Sequence, residues 1–180
     1  MKRMNCSITV IAALLGVLAA AAVPGALAGE LPSKFKIGDV APDFTLKDIA
    51  GRQIQLSSVV KNKVVLLAFW SLRCGACLQE VPFLEQVHKS YSGKGVAVLS
   101  VVTDGVDADA TKTIMKEVGA SPSYPVLLDP DFTASDTYTN FIVPLTLVID
   151  RTGIIRYLHT GFETDTEKQY EDALAKALGP

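Results

Sequence analysis

Two cysteines separated by two residues, within Trp70-Ser71-Leu72-Arg73-Cys74-Gly75-Ala76-Cys77, are the side chains of this sequence best suited to covalent chemistry. A thiolate attacks a disulfide sulfur, forms a mixed disulfide, and is released when a second thiol close by attacks in turn. One pair at this spacing can do both. The octet follows an apolar run, Val64 to Trp70, and precedes a stretch where Val81, Leu84, Val87, His88 and Tyr91 recur at three and four residues. The pair therefore falls where a buried strand gives way to a helix expected from about Cys77 to Ser92. At a helix start the first N–H groups lack partners and the dipole is positive, so a thiolate at Cys74 is stabilised and its pKa falls. Cys74, at the exposed end, is the expected nucleophile, and Cys77, turned toward the helix body, the expected resolving thiol.

Other uses of the pair fit less well. A bridge across two residues closes so short a loop that it removes little entropy from the unfolded chain, which makes it a poor structural staple. Zinc needs four ligands, and beyond the pair only the isolated His88 and His159 are on offer, so no metal is expected. Those histidines, one within a helix and one at a strand end, read as ordinary structural or surface residues. No bound cofactor is implied, since the electrons travel as thiols.

The third cysteine, Cys6, stands apart. Met1-Lys2-Arg3 is basic, Ile8 to Val23 is almost wholly apolar, and Ala26-Leu27-Ala28 supplies a small-x-small pattern before cleavage. Residues 1–28 thus read as a signal peptide and 29–180 as one domain. The apolar run is short for a membrane span, and an uncleaved N-terminal anchor is the alternative; membrane association is expected only in that case. Either way the domain lies in the periplasm or is otherwise exported. Loss of Lys2 and Arg3 with the leader takes the formal net charge from -2 to -4, and no basic stripe for nucleic acid remains.

The elements that must hold the cysteines can be read from the rest of the chain. Leu31 to Asp43, broken by Pro32, Gly38 and Pro42, suggests an extended arm. Phe44 to Leu46 and Gln53 to Leu56 flank Asp48 to Gly51 and read as a hairpin. Val64 to Trp70 and Val96 to Val102 are apolar enough to be strands covered on both faces. Asp107 to Val118 is expected to be helical, with Ile114, Met115 and Val118 as its apolar face. Tyr124 to Leu128 is a short strand, and Asp131 to Phe141 an irregular helix. Leu145 to Ile149 and Ile154 to Leu158 form a second hairpin, and Asp165 to Leu178 a closing helix with Tyr170, Leu174, Ala177 and Leu178 inward. This order of strands and helices signals an α/β sheet containing parallel strands.

In chain order the sequence carries Gly38-Asp39-Val40-Ala41-Pro42-Asp43-Phe44, Phe69-Trp70, Cys74-Gly75-Ala76-Cys77, Glu80, Pro82, Val143-Pro144 and Val148-Ile149-Asp150-Arg151-Thr152-Gly153. On these motifs it resembles the thioredoxin superfamily, and more closely its exported peroxiredoxin-like (AhpC/TSA, redoxin) and cytochrome-maturation-type (TlpA/ResA-like) thiol–disulfide oxidoreductases. The resemblance implies a thioredoxin-like α/β fold: a central mixed sheet flanked by helices, with an N-terminal hairpin and an insertion, Asp104 to Tyr138, between the middle strands. It makes Cys74 the attacking and Cys77 the resolving cysteine, and Pro144 the cis-proline that leaves the Val143 backbone free to pair with an extended substrate. Glu80 matches an acidic residue near the thiols that could accept the Cys77 proton; the alternative is a residue that merely favours the helix start.

The match has departures. Trp70 is kept, but Arg73 stands where a second tryptophan is common, and could lower the Cys74 pKa, attract an acidic partner, or point into water. Ala76 replaces a proline, Leu145 a polar residue, and Ala68 the buried aspartate of cytoplasmic thioredoxins. The implied activity is reduction of protein disulfides by exchange. Its partners would be a client disulfide, as in apocytochrome c, a metallochaperone or misoxidised proteins, and an upstream membrane or soluble thiol reductase. The inserted segment suggests a thiol-dependent peroxidase as an alternative, although the Pro-x-x-x-Thr/Ser-x-x-Cys setting of peroxiredoxins is missing before Cys74. A non-catalytic binding module on the same fold is the other.

Overall fold

A computed structural model describes residues 34–179. The leader, Cys6 and the first residues of the arm lie outside that range. The chain runs β1 (Thr45–Asp48), β2 (Gln53–Gln55), α1 (Leu56–Val60), β3 (Val64–Trp70), α2 (Gly75–Tyr91), β4 (Val96–Val102), α3 (Ala108–Glu117), β5 (Val126–Leu128), α4 (Thr133–Tyr138), β6 (Leu145–Ile149), β7 (Ile155–Thr160) and α5 (Thr166–Leu178). All seven strands join one sheet in the order β2-β1-β5-β4-β3-β6-β7. β3, β4 and β5 are parallel, while β6 runs antiparallel beside β3 and β1 beside β5, so the sheet is mixed and this is a thioredoxin-like fold.

Alternation along β3 divides the core into two layers. Every residue of β3 is buried, as an unbroken apolar run requires when both faces are covered. Val64, Leu66, Ala68 and Trp70 face α2 and α5, where Cys77, Val81, Leu84, Tyr170 and Leu174 meet them. Val65, Leu67 and Phe69 face the other way, onto Leu56 and Val60 of α1 and Ala134 and Tyr138 of α4. Tyr138 stacks on Phe69 at 4.9 Å, and its hydroxyl donates to the Pro42 carbonyl at 2.5 Å, pinning the arm. The arm also borders β7, with Gly38 N–H donating to the Ile155 carbonyl at 2.8 Å and Ile155 N–H to that of Asp39 at 2.9 Å.

Several elements differ from their sequence expectation. Leu56, expected in the hairpin, begins α1 instead. α2 starts at Gly75, two residues before the expected position, because Cys74 caps it. Val118 is 44% exposed rather than inward, since it follows the last turn of α3, and Thr111 takes the buried position with Met115. On α5, Tyr170, Ala173 and Leu174 form the buried stripe while Ala177 and Leu178 are half-buried at its margin.

Candidate active site

The cysteine pair lies at the end of β3, where the chain turns from the sheet into α2. Four residues make the turn, and an aspartate from the neighbouring strand holds it. Asp104, just past β4, accepts from the Leu72 N–H at 2.7 Å and the Ser71 hydroxyl at 2.8 Å, while Ser71 Oγ accepts from the Arg73 N–H at 3.1 Å. The Trp70 carbonyl is held from the same side by the Thr103 N–H at 2.9 Å. With the turn fixed, Cys74 becomes the N-cap of α2, its backbone extended and its sulfur accepting from the Cys77 N–H at 3.2 Å. A sulfur in this place takes one of the helix's unpaired donors and sits at the positive end of its dipole.

The two sulfurs form a disulfide with their Cα atoms 5.2 Å apart. Their surroundings differ: Cys74 is half-buried and Cys77 is 0% exposed. Across from them the Val143-Pro144 peptide is cis, and the Val143 carbonyl oxygen lies 3.8 Å from Cys74 Sγ. Sequence expectation and geometry agree in bringing Cys74, Cys77, Val143 and Pro144 together. Trp70 lies beneath them in the core at 1% exposure, and Arg73 is exposed, its guanidinium making no ion pair among the described residues.

Glu80, one turn beyond Cys77, faces inward and is fully buried. Its Oε1 accepts from the Thr146 hydroxyl at 2.6 Å and from the Tyr170 hydroxyl at 2.8 Å; Oε2 has no partner among the described residues. Burial pushes the carboxyl up to about 7, with the Thr146 and Tyr170 bonds pulling the other way. Thr146 is in register with Ala68, and Ala68 with Ser100, so the three share the face toward α2. The carboxyl missing from position 68 is in effect supplied to the same layer by the helix above it. Burial and the Glu80 carboxyl also raise the phenols of Tyr124 and Tyr170.

Asp104, Thr146 and Tyr170 were not among the expected site residues, Tyr170 being read only as an inward residue of the closing helix. Thr146 and Tyr170 do stand out as polar groups at apolar positions of β6 and α5, and Asp104 as an acid closing an apolar strand. Strand pairing brings Asp104 to the turn and Thr146 to Glu80, and the packing of α5 on the sheet brings Tyr170 there. His88 and His159 are half-buried in α2 and β7, and the described residues contain no cluster of side chains that could hold a metal.

A thioredoxin-like fold with a cysteine pair at a helix start, one sulfur accessible and one buried, defines a thiol–disulfide oxidoreductase. Residues 37–158 match the AhpC/TSA family, and the chain belongs to it. It is 33% identical over 137 residues to the thioredoxin-like protein YneN of Bacillus subtilis (strain 168), covering 76% of this chain and 78% of that protein. To the thiol-disulfide oxidoreductase ResA of Bacillus anthracis it is 31% identical over 143 residues, 79% of each chain. Among solved structures, a Chlorobium tepidum protein assigned as a thiol:disulfide interchange protein DsbE superposes with a TM-score of 0.72 at 32% identity, covering 80% of this chain and 99% of that one.

Proposed function

We propose that this enzyme works outside the cytoplasm as a reductant of polypeptide disulfides, with Cys74 attacking, Cys77 resolving and Glu80 moving the proton between steps. The observation that carries this reading is the asymmetry of the pair: Cys74 is half-buried and caps the helix, whereas Cys77 is sealed below it. The Cys74 thiolate attacks one sulfur of the client disulfide, whose S–S bond breaks, and the departing client thiolate takes a proton from water. Cys77 then gives its proton to Glu80 and attacks Cys74 Sγ, breaking the mixed disulfide and expelling the second client sulfur as a thiolate, which takes a proton from water. The client gains two electrons and two protons, and the enzyme is left as the Cys74–Cys77 disulfide. A carboxyl held at about 7 suits proton traffic in both directions near neutral pH.

Recharging falls to an upstream thiol reductase, membrane-bound or soluble. Export rests on the basic and apolar leader of residues 1–28, and apocytochrome c is one client of the right chemistry. The reducing direction is supported by Gly75-Ala76 between the cysteines, without the histidine of strongly oxidising relatives, and by an Arg73 that is exposed and therefore screened.

The decisive experiment combines trapping with a redox titration. The variant Cys77→Ala is expected to accumulate mixed disulfides with clients while Cys74→Ala traps few; equal trapping would sink the assignment of roles. A potential well below about -200 mV supports a reductant, and one near about -120 mV would recast the protein as a disulfide donor. Faster consumption of hydrogen peroxide than of disulfides by the reduced protein would favour the peroxidase reading.

A further inference from the structure

Phe141 has an uncommon combination of properties. It is 91% exposed, with a backbone φ of +63°, directly after Asn140 at +46°. Asparagine tolerates the left-handed region, but a bulky aromatic there is a genuine outlier, and helices that end this way usually place glycine at the turn. The conformation is held from within. Thr139, buried at the end of α4, donates its hydroxyl to the Ser135 carbonyl at 3.0 Å, and the same oxygen accepts the Phe141 N–H at 3.2 Å. The Ile142 N–H then closes back on the Thr139 carbonyl at 2.9 Å.

Single exposed apolar side chains are common and need no explanation. Phe132 makes the useful contrast. It too is left-handed, at φ +56°, but its ring lies against Gly105, where an added Cβ would come within 2.6 Å of a ring carbon, so packing accounts for it. Phe141 projects into water. It also stands two residues before Val143, whose carbonyl faces the Cys74 sulfur at 3.8 Å, and two residues of chain span at most about 7 Å. Its ring is therefore within reach of a residue next to a client cysteine joined to Cys74.

We propose that Phe141 selects clients: its ring docks the apolar side chain that flanks the cysteine in an extended, disulfide-bearing polypeptide. The occupant is a peptide segment rather than a small disulfide, because only a peptide presents a neighbouring side chain while its sulfur is engaged. This inference rests on the exchange reaction proposed above.

The test uses reduced full-length domain and three oxidants: a disulfide-linked peptide with leucine on both sides of its cysteine, the same peptide with serine there, and glutathione disulfide. The single tryptophan, Trp70, buried under the pair, offers a fluorescence signal. The protein is expected to react about fivefold faster with the leucine peptide than with the serine peptide, the scale set by partly burying one aliphatic side chain. Phe141→Asn and Phe141→Gly both fit the left-handed backbone, so neither threatens the fold. Each is expected to bring that ratio close to one while leaving the glutathione rate within about twofold. A ratio unchanged in the variants, or absent from the parent, overturns the proposal and leaves the exchange reaction standing. A parallel fall with glutathione also overturns it, since Phe141 would then shape the site instead of docking a client. No reaction with any of the three oxidants overturns the exchange reading itself, and the client selection with it.

Discussion

Glu80 is fully buried, and both of its hydrogen-bond donors approach a single oxygen. An unfolded chain releases that proton near 4.5, whereas the fold holds it to about 7. Between those values the native state binds more protons than the unfolded state, so stability falls as pH rises and levels off above 7, by up to about 3 kcal/mol. Asp150 runs the opposite way: burial would raise it, but bonds from Thr152, Ile154 and Arg156 hold it at about 2, and its contribution is lost only in strong acid. Glu80→Gln keeps the side-chain shape and can still accept from Thr146 and Tyr170. Urea denaturation of the oxidised protein across pH 4.5 to 7 is expected to show a falling stability in the parent that is much flatter in Glu80→Gln, and parallel curves would refute the assignment. The same variant should slow release of the mixed disulfide while leaving attack by Cys74 nearly intact.

The turn between β3 and α2 depends on an element distant in sequence. Asp104 lies more than thirty residues beyond Leu72, yet its carboxylate meets that N–H because β3 and β4 are parallel neighbours whose ends coincide, Trp70 beside Val102. Asp104→Ala removes two half-buried, charge-assisted bonds and leaves a donor unpaired; a loss of about 1–3 kcal/mol is expected on chemical denaturation. Exchange with a small disulfide should also slow in the fully folded variant, because Cys74 no longer has a fixed turn behind it, and an unchanged rate would show that α2 alone positions the sulfur. Such dependence explains what could be read from the sequence. The long periodic runs of β3, β4 and α2 were legible, and with them the pair at their junction, because local pattern and burial agree there. The five residues of α1 were not, since Leu56 continues the alternation of β2 and the helix has no side-chain cap to announce it. Val118 has helical spacing but falls one residue past the helix, a boundary that pattern does not resolve. Thr146 and Tyr170 acquire their meaning only when β6 and α5 close over Glu80.

At the scale of the molecule, the sheet acts as a wall with chemistry on one side. Its far layer, Leu56, Val60, Ala134 and Tyr138 against Phe69 and Leu67, anchors β3 without approaching the sulfurs; its near layer takes in Cys77 and Glu80 and leaves Cys74 at the rim. In the reaction proposed above, a client therefore joins the enzyme through one sulfur alone and leaves by an attack launched from inside the protein. Arrival depends on how often client and enzyme meet, and departure does not. Raising the client concentration should speed turnover at first and then bring it to a ceiling set by Cys77, with the mixed disulfide as the species that accumulates there. Stopped-flow traces over a wide range of client concentration are expected to show that plateau, and a rate that climbs without limit would mean that attack by Cys77 never limits turnover and that no mixed disulfide accumulates. In that reaction the burial of one sulfur makes the enzyme a timer: however crowded its surroundings, each client is held for an interval that the fold decides.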